Sequence, residues 1–171
     1  MDRWWVAEAW EHSPVFLVSW VVWAIGSIVL HELAHGWAAI SRGDRTPIES
    51  GHMTWNPLVH MGHTSLILFA LLGIAWGAMP VNPHRFRGRY DDALVAAAGP
   101  AMNLALAAVA LGAYCLWVVF GDAAGSPLYG NLQTFLRLGI VLNIVLMLLN
   151  LLPIPPLDGS RILGNRVPSF E

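Results

Sequence analysis

The sequence predicts an all-α polytopic membrane protein of a single domain. It should have three spans, a further short hydrophobic segment that crosses or re-enters, and a small β-hairpin or loop. Three observations carry this expectation. Hydrophobic residues make up 56% of the chain and charged residues only 12%, a balance of membrane chains rather than of soluble cores. Runs approaching or exceeding the ~20 apolar residues needed to cross hydrocarbon recur along the chain. Tryptophans such as Trp4, Trp5, Trp10, Trp76 and Trp117 fall near the ends of those runs, where aromatic rings favour the membrane interface. A net charge of -2 gives no reason to expect nucleic acid as a partner. The one cysteine, Cys115, excludes an internal disulfide and reads as a packing residue.

The elements follow in order. Residues 1–13 are tryptophan-rich with mixed charge and suit the bilayer surface. Residues 14–40 form the first span, ended by Ser41-Arg42-Gly43-Asp44-Arg45. The N-terminus shows no small-residue cleavage site, and this span carries the chain's main polar motif, so it is not a removable signal. Residues 41–92 hold a polar stretch, Thr46 to Gly62, in which Ile48, Met53, Trp55 and Leu58 are candidates for short strands punctuated by Gly51 and Asn56-Pro57. They also hold the apolar stretch Thr64 to Met79, sixteen residues with two glycines, a length between a span and a re-entrant segment. A loop with Arg85, Arg87 and Arg89 follows. A second span covers 93–120, a turn covers Gly121 to Gly130, and a third span covers 131–158, broken near its end by Pro153, Pro155 and Pro156. Arg137, one turn into this span, can snorkel to the interface. Residues 159–171 form a tail.

The polar motif is His31-Glu32-Leu33-Ala34-His35. Residues four apart share a helix face, so both imidazoles project together. Two imidazoles can hold one zinc ion, with Glu32 beside them as a base toward water. Ionisable residues inside a span are costly and usually functional. A catalytic zinc takes three protein ligands and keeps one position open. His52, His60, His63 and His84 are candidates for the third ligand, as are carboxylates at membrane depth. Of the carboxylates only Glu32 and Asp158 lie in apolar stretches, which makes Asp158 the economical choice; the four histidines read as interfacial or structural. The structural alternative for Asp158 is a turn aspartate before Gly159.

Together, HELAH in the first span, Gly99-Pro-Ala-Met-Asn103 opening a later one, and the Asn150 to Leu163 stretch NLLPIPPLDGSRIL resemble the site-2 protease family of intramembrane zinc metalloproteases (peptidase family M50). The NPLVH and MPVNPHRF stretches are similar to its compact prokaryotic branch. The resemblance covers Ile28 to Leu163. It implies that His31, His35 and Asp158 bind one Zn²⁺ and that Glu32 is the catalytic base. It links Asn103 and Asn150 with the active-site region, as oxyanion or substrate contacts or as interhelical hydrogen-bonding residues. It implies hydrolysis of membrane-embedded segments of a transmembrane protein or peptide, and a place in the prokaryotic inner membrane. Two features depart from the pattern. Met61-Gly62-His63-Thr64 stands where relatives carry an Asp-Pro-x-Gly turn. Relatives also continue past the LDG motif with another apolar helix, whereas twelve residues follow Gly159 here, as in a truncated or unusually short member.

The ligand positions constrain topology. His31 and His35 lie roughly 7 to 14 Å before Ile40 at ~1.5 Å per residue, and Asp158 lies near the end of the last span. If these ligands meet, the first and last spans run in the same direction and the 93–120 span runs opposite. Thr64 to Met79 then makes no net crossing. Arg42, Arg45, Arg85, Arg87, Arg89, Arg161 and Arg166 share one side under this arrangement, with Arg3 on the other. The positive-inside rule makes that side, toward which the site opens, cytoplasmic. A non-catalytic zinc-containing membrane binder is the alternative function, and a metal carrier is a third. Intact Glu32 argues against the binder, and ligands that converge on one point argue against the carrier.

Overall fold

The computed structural model describes residues 4–121 and 126–164. Expectations that rest on residues 1–3, 122–125 and 165–171 lie outside the described residues; these include the sides taken by Arg3 and Arg166, the middle of the turn after the second span, and most of the tail.

A short helix, α1 (Trp5–His12), leads into α2 (Pro14–Ser41). Ser13 is extended and its side chain accepts from the Phe16 N–H. Pro14 follows in the first turn, where a missing N–H has no helical partner to lose. α2 has 28 residues and is about 42 Å long. It stops at Arg42, after which Gly43 turns the chain at φ 102°.

The stretch expected to hold short strands is instead helical and irregular. Among the described residues there is no strand, and Thr46–Glu49 forms a one-turn helix, α3. The reason is local. Asp44 accepts from the Thr46 N–H at 2.9 Å and from its hydroxyl, and Pro47 sits in the first turn; this chemistry starts a helix rather than a ladder. Ile48, Trp55 and Leu58, apolar but exposed, have no neighbouring strand to pair with.

Pro57–Leu72 is α4, started by the Asn56 side chain accepting from the Leu58 N–H. It is kinked at Gly62, whose φ of 68° and ψ of 169° are open mainly to glycine. Gly73 ends it in the left-handed region at φ 75°. The chain then doubles back without helix or strand. The Ser65 hydroxyl accepts from the Trp76 N–H and donates to the Trp76 carbonyl, and the Ala78 N–H reaches the His60 carbonyl at 2.9 Å. The apolar stretch is thus a helix and a returning irregular chain lying along it. Its tip lies against α1, where the indole N–H groups of Trp4 and Trp5 both donate to the Ala70 carbonyl near the helix end. Asp44, three residues past α2, accepts from the Asn82 N–H at 2.7 Å. Residues 45–82 therefore begin and end at the same place and make no net crossing.

α5 (Asp91–Phe120) and α6 (Pro127–Asn150) have 30 and 24 residues. With α2 they are, among the described residues, the three helices long and apolar enough to cross a membrane. The third span is shorter than expected. α6 ends at Asn150, and Asp158 opens a separate helix, α7 (Asp158–Gly164). The prolines at 153, 155 and 156 exclude continuous helix between them.

Pairings along the bundle give the directions. Trp23 donates to the Phe135 carbonyl at 2.9 Å and packs its ring on Gly139. Deeper along both helices, His31 and Asn143 bind the same Asn103 amide. α2 and α6 thus run parallel. α5 pairs Val95 with His35 and Asn103 with His31, so it runs opposite. The bundle is close-packed through small residues: Ala96, Ala107 and Ala110 on α5 are all buried. Ala24, Phe69 and Leu142 form a cluster joining α2, α4 and α6. Outward positions stay apolar, with Val109 70% and Phe120 81% exposed, a surface suited to hydrocarbon rather than water.

Candidate metal centre

His31 and His35 project from one face of α2, as their spacing requires, and both are buried. α5 crosses directly over them. It approaches this closely because position 99 is glycine: a Cβ there would lie 2.5 Å from Nε2 of each histidine. Each ring is held by its other nitrogen. His35 Nδ1–H donates to the Val95 carbonyl at 2.7 Å. His31 Nδ1–H donates to Asn103 Oδ1 at 2.6 Å, and Asn103 Nδ2 donates in turn to Asn143 Oδ1 at 3.0 Å. With the protons on Nδ1, both Nε2 lone pairs point inward.

Asp158 completes the set as the first residue of α7. Gly159 beside it lets α7 press onto the end of α6, since a Cβ would collide with the carbonyls of Leu151 and Leu152. Arg161, one turn on, pairs with Asp92 near the start of α5 and ties α7 to the bundle. Asp158 Oδ2 then stands 3.2 Å from His31 Nε2 and 3.3 Å from His35 Nε2, and the two Nε2 atoms are 3.1 Å apart.

This triangle fits a metal ion. A tetrahedral zinc with bonds of about 2.0–2.1 Å has ligand atoms about 3.3 Å apart. Without a cation the three atoms are all acceptors facing one another. Asp158 Oδ2 is buried with no hydrogen-bond partner. His31, His35 and Asp158 are the one group of three such side chains close enough to share an ion among the described residues. The other histidines are placed elsewhere. His52 Nδ1 meets the Ser50 carbonyl and hydroxyl, and His60 donates to the Thr54 carbonyl.

A cavity of about 390 Å³ opens beside the triangle. Glu32 lines it from α2, the returning chain Ala75 to Met79 from one side, and Asn150 with Pro156 and Leu157 from the other. Gly77 lies against Glu32, with room for no Cβ: one would be 2.6 Å from Oε1. Both asparagines singled out in the sequence line the cavity, and Asn150 donates to the Leu146 carbonyl. Asn103 is fully buried, its amide committed to His31 and Asn143. Sequence reasoning passed over Asn143 and Gly77. A lone amide in the middle of an apolar span, seven residues before Asn150 and so on the same face, is the signal that marks Asn143.

The profile of Peptidase family M50 matches residues 123–170. A Bacillus subtilis protein provisionally named zinc metalloprotease YwhC is 39% identical over 160 residues, covering 92% of this chain and 73% of that protein. A Mycolicibacterium smegmatis protein provisionally named zinc metalloprotease Rip2 is 35% identical over 157 residues, 87% of this chain and 57% of that one. MJ0611 of Methanocaldococcus jannaschii, named in the same provisional way, is 31% identical over 150 residues, 87% of this chain and 70% of that one. The chain thus spans a little over half of the Rip2 relative and about three quarters of YwhC. No solved structure matches the chain significantly. The likeness to YwhC covers 92% of the chain, and with the zinc-compatible triangle it establishes that the chain belongs to peptidase family M50, the site-2 protease family.

Proposed function

We propose that the protein is a zinc-dependent endopeptidase that cleaves membrane-embedded segments of transmembrane proteins or peptides, with His31, His35 and Asp158 holding the ion and Glu32 as the catalytic base. The observation that carries this reading is the inward triangle of two Nε2 atoms and one carboxylate oxygen, with Glu32 in the same cavity. Bound there, zinc supplies the Lewis acidity that makes water a nucleophile near neutral pH and polarises the scissile carbonyl. Glu32 accepts a proton from the attacking water as its oxygen bonds to the carbonyl carbon. The C–N bond then breaks, and Glu32 hands the proton to the departing amine. Asn150, whose side-chain oxygen remains free, is placed to contact the substrate backbone. Asn103, committed to His31, acts on the site through that ring.

The returning chain supports a path for the substrate. Trp76 and Ala78 direct their backbone toward α4. Their neighbours Ala75, Gly77 and Met79 line the same cavity, with no backbone hydrogen bond to α4 among the described residues. A substrate segment unwound from its helix would add there as a strand. Pro156 and Leu157 line the cavity as well. The arginine-rich end of the bundle, and with it the mouth of the site, faces the cytoplasm of a prokaryotic inner membrane under the positive-inside rule.

The test compares wild type with Glu32→Gln for zinc content and for cleavage of a transmembrane peptide. Equal zinc with cleavage lost supports the protease. Retained cleavage would overturn it. A binder that keeps zinc for structure alone would have no use for Glu32 in the cavity, which argues against that alternative.

A further inference from the structure

We propose that Asn143 is a positioning residue for the metal centre: acting through Asn103, it decides which nitrogen of His31 carries the proton. This rests on the zinc reading above and extends it to a residue outside the motifs read from the sequence. Asn143 lies in the middle of α6 and is fully buried, as is Asn103. Its orientation is determined by the backbone. Asn143 Nδ2 is 2.9 Å from the Gly139 carbonyl. A carbonyl oxygen only accepts, so the amide nitrogen must face it and Oδ1 must face away. That oxygen meets Asn103 Nδ2 at 3.0 Å, which turns Asn103 Oδ1 toward His31 Nδ1 at 2.6 Å. His31 must then carry its proton on Nδ1 and present the Nε2 lone pair to His35 and Asp158. Each bond in the series has one permitted sense, and the series joins α6, α5 and α2. Reversing either amide would set oxygen against oxygen or N–H against N–H between side chains that are fully buried.

His35 needs no such series, because the Val95 carbonyl orients it directly. The two rings are therefore held by unequal means, and loss of Asn143 should affect one and spare the other. General loosening of the bundle would affect both.

The experiment uses the full chain in lipid nanodiscs with ¹⁵N-labelled histidine, zinc-free at about pH 8, where free imidazole is neutral. The imidazole ¹⁵N shifts report the tautomer, and chelator competition reports zinc affinity. Wild type should show Nδ1–H at both His31 and His35. Asn143→Leu should release His31 into a mixture of tautomers, leave His35 unchanged, and weaken zinc binding by about 10-fold or more. The smaller Asn143→Ser, whose hydroxyl bonds back along α6 without reaching Asn103, should act in the same direction and is read if the leucine variant does not fold. In an Asn103→Leu background, Asn143→Leu should have no further effect on zinc affinity. Unchanged His31 shifts and affinity, equal disturbance of both histidines, or additive effects of the two substitutions would each overturn the assignment. If wild type holds His31 as Nδ1–H yet takes up no zinc, the relay stands and the zinc reading fails.

Discussion

At the scale of single residues, the chemistry depends on atoms brought within van der Waals reach of two imidazoles. Glu32→Gln removes the proposed proton acceptor while leaving the ligand triangle intact. Cleavage of a transmembrane peptide should fall by about 10²–10⁴-fold with zinc content unchanged, as read by peptide mass analysis and metal quantification on the same samples. Gly99→Ala tests the opposite dependence. Alanine is the better helix former, so α5 should persist, but the added Cβ would lie 2.5 Å from Nε2 of both histidines. We expect zinc affinity to drop at least ~10-fold, comparable to the loss of a residue that orients a ligand. Chelator competition measures it, and wild-type affinity in Gly99→Ala would show that the close approach of α5 is dispensable.

At the scale of elements, Asp44 closes the segment between α2 and α5. Its fully buried carboxylate accepts from the Thr46 and Asn82 N–H groups and the Thr46 hydroxyl. Burial by itself would raise its pKa. The hydrogen bonds, with Arg85 nearby, outweigh burial and hold the group below the ordinary 3.8. The folded state therefore releases this proton more readily than the unfolded chain. Its contribution to stability is fully present above about pH 4 and is lost as pH falls through the lowered folded value. Asp44→Ala should destabilise the 44–82 segment by about 2–3 kcal/mol, seen as faster proteolysis within 45–90 at neutral pH. The difference from wild type should shrink under acid conditions, where Asp44 is protonated in both states. A difference that grew on acidification would contradict the sign of this shift. Of the β-hairpin or loop expected for Thr46 to Gly62, the hairpin does not form, for the same local reason: Asp44, Thr46 and Pro47 make a helix start, and short apolar runs cannot form strands without a partner.

At the scale of the whole molecule, the arrangement predicts sidedness. In a Cys115→Ala background, Ser50→Cys and His84→Cys should both label from the cytoplasmic face, because residues 45–82 leave and return at Asp44. Labelling from opposite faces would require a fourth crossing. The three spans, the histidine pair and the candidate Asp158 were legible in the sequence because each is a local property: apolar run length, four-residue helical spacing, an acid in an apolar stretch. The antiparallel sense of α5 followed from requiring the ligands to meet. Other features were not legible. Gly77 against Glu32, the Val95 carbonyl beneath His35 and the Asn143–Asn103–His31 series join residues from 40 to 72 positions apart. No pattern within one segment reports such pairings. The sequence by itself determined that two imidazoles would share a helix face inside a membrane span, since that follows from the helical repeat and the length of the apolar run. Only the tertiary structure decided that their lone pairs converge with Asp158 on one point. That convergence depends on how closely α5 passes over Gly99, where α7 begins, and which hydrogen bonds hold the far side of each ring.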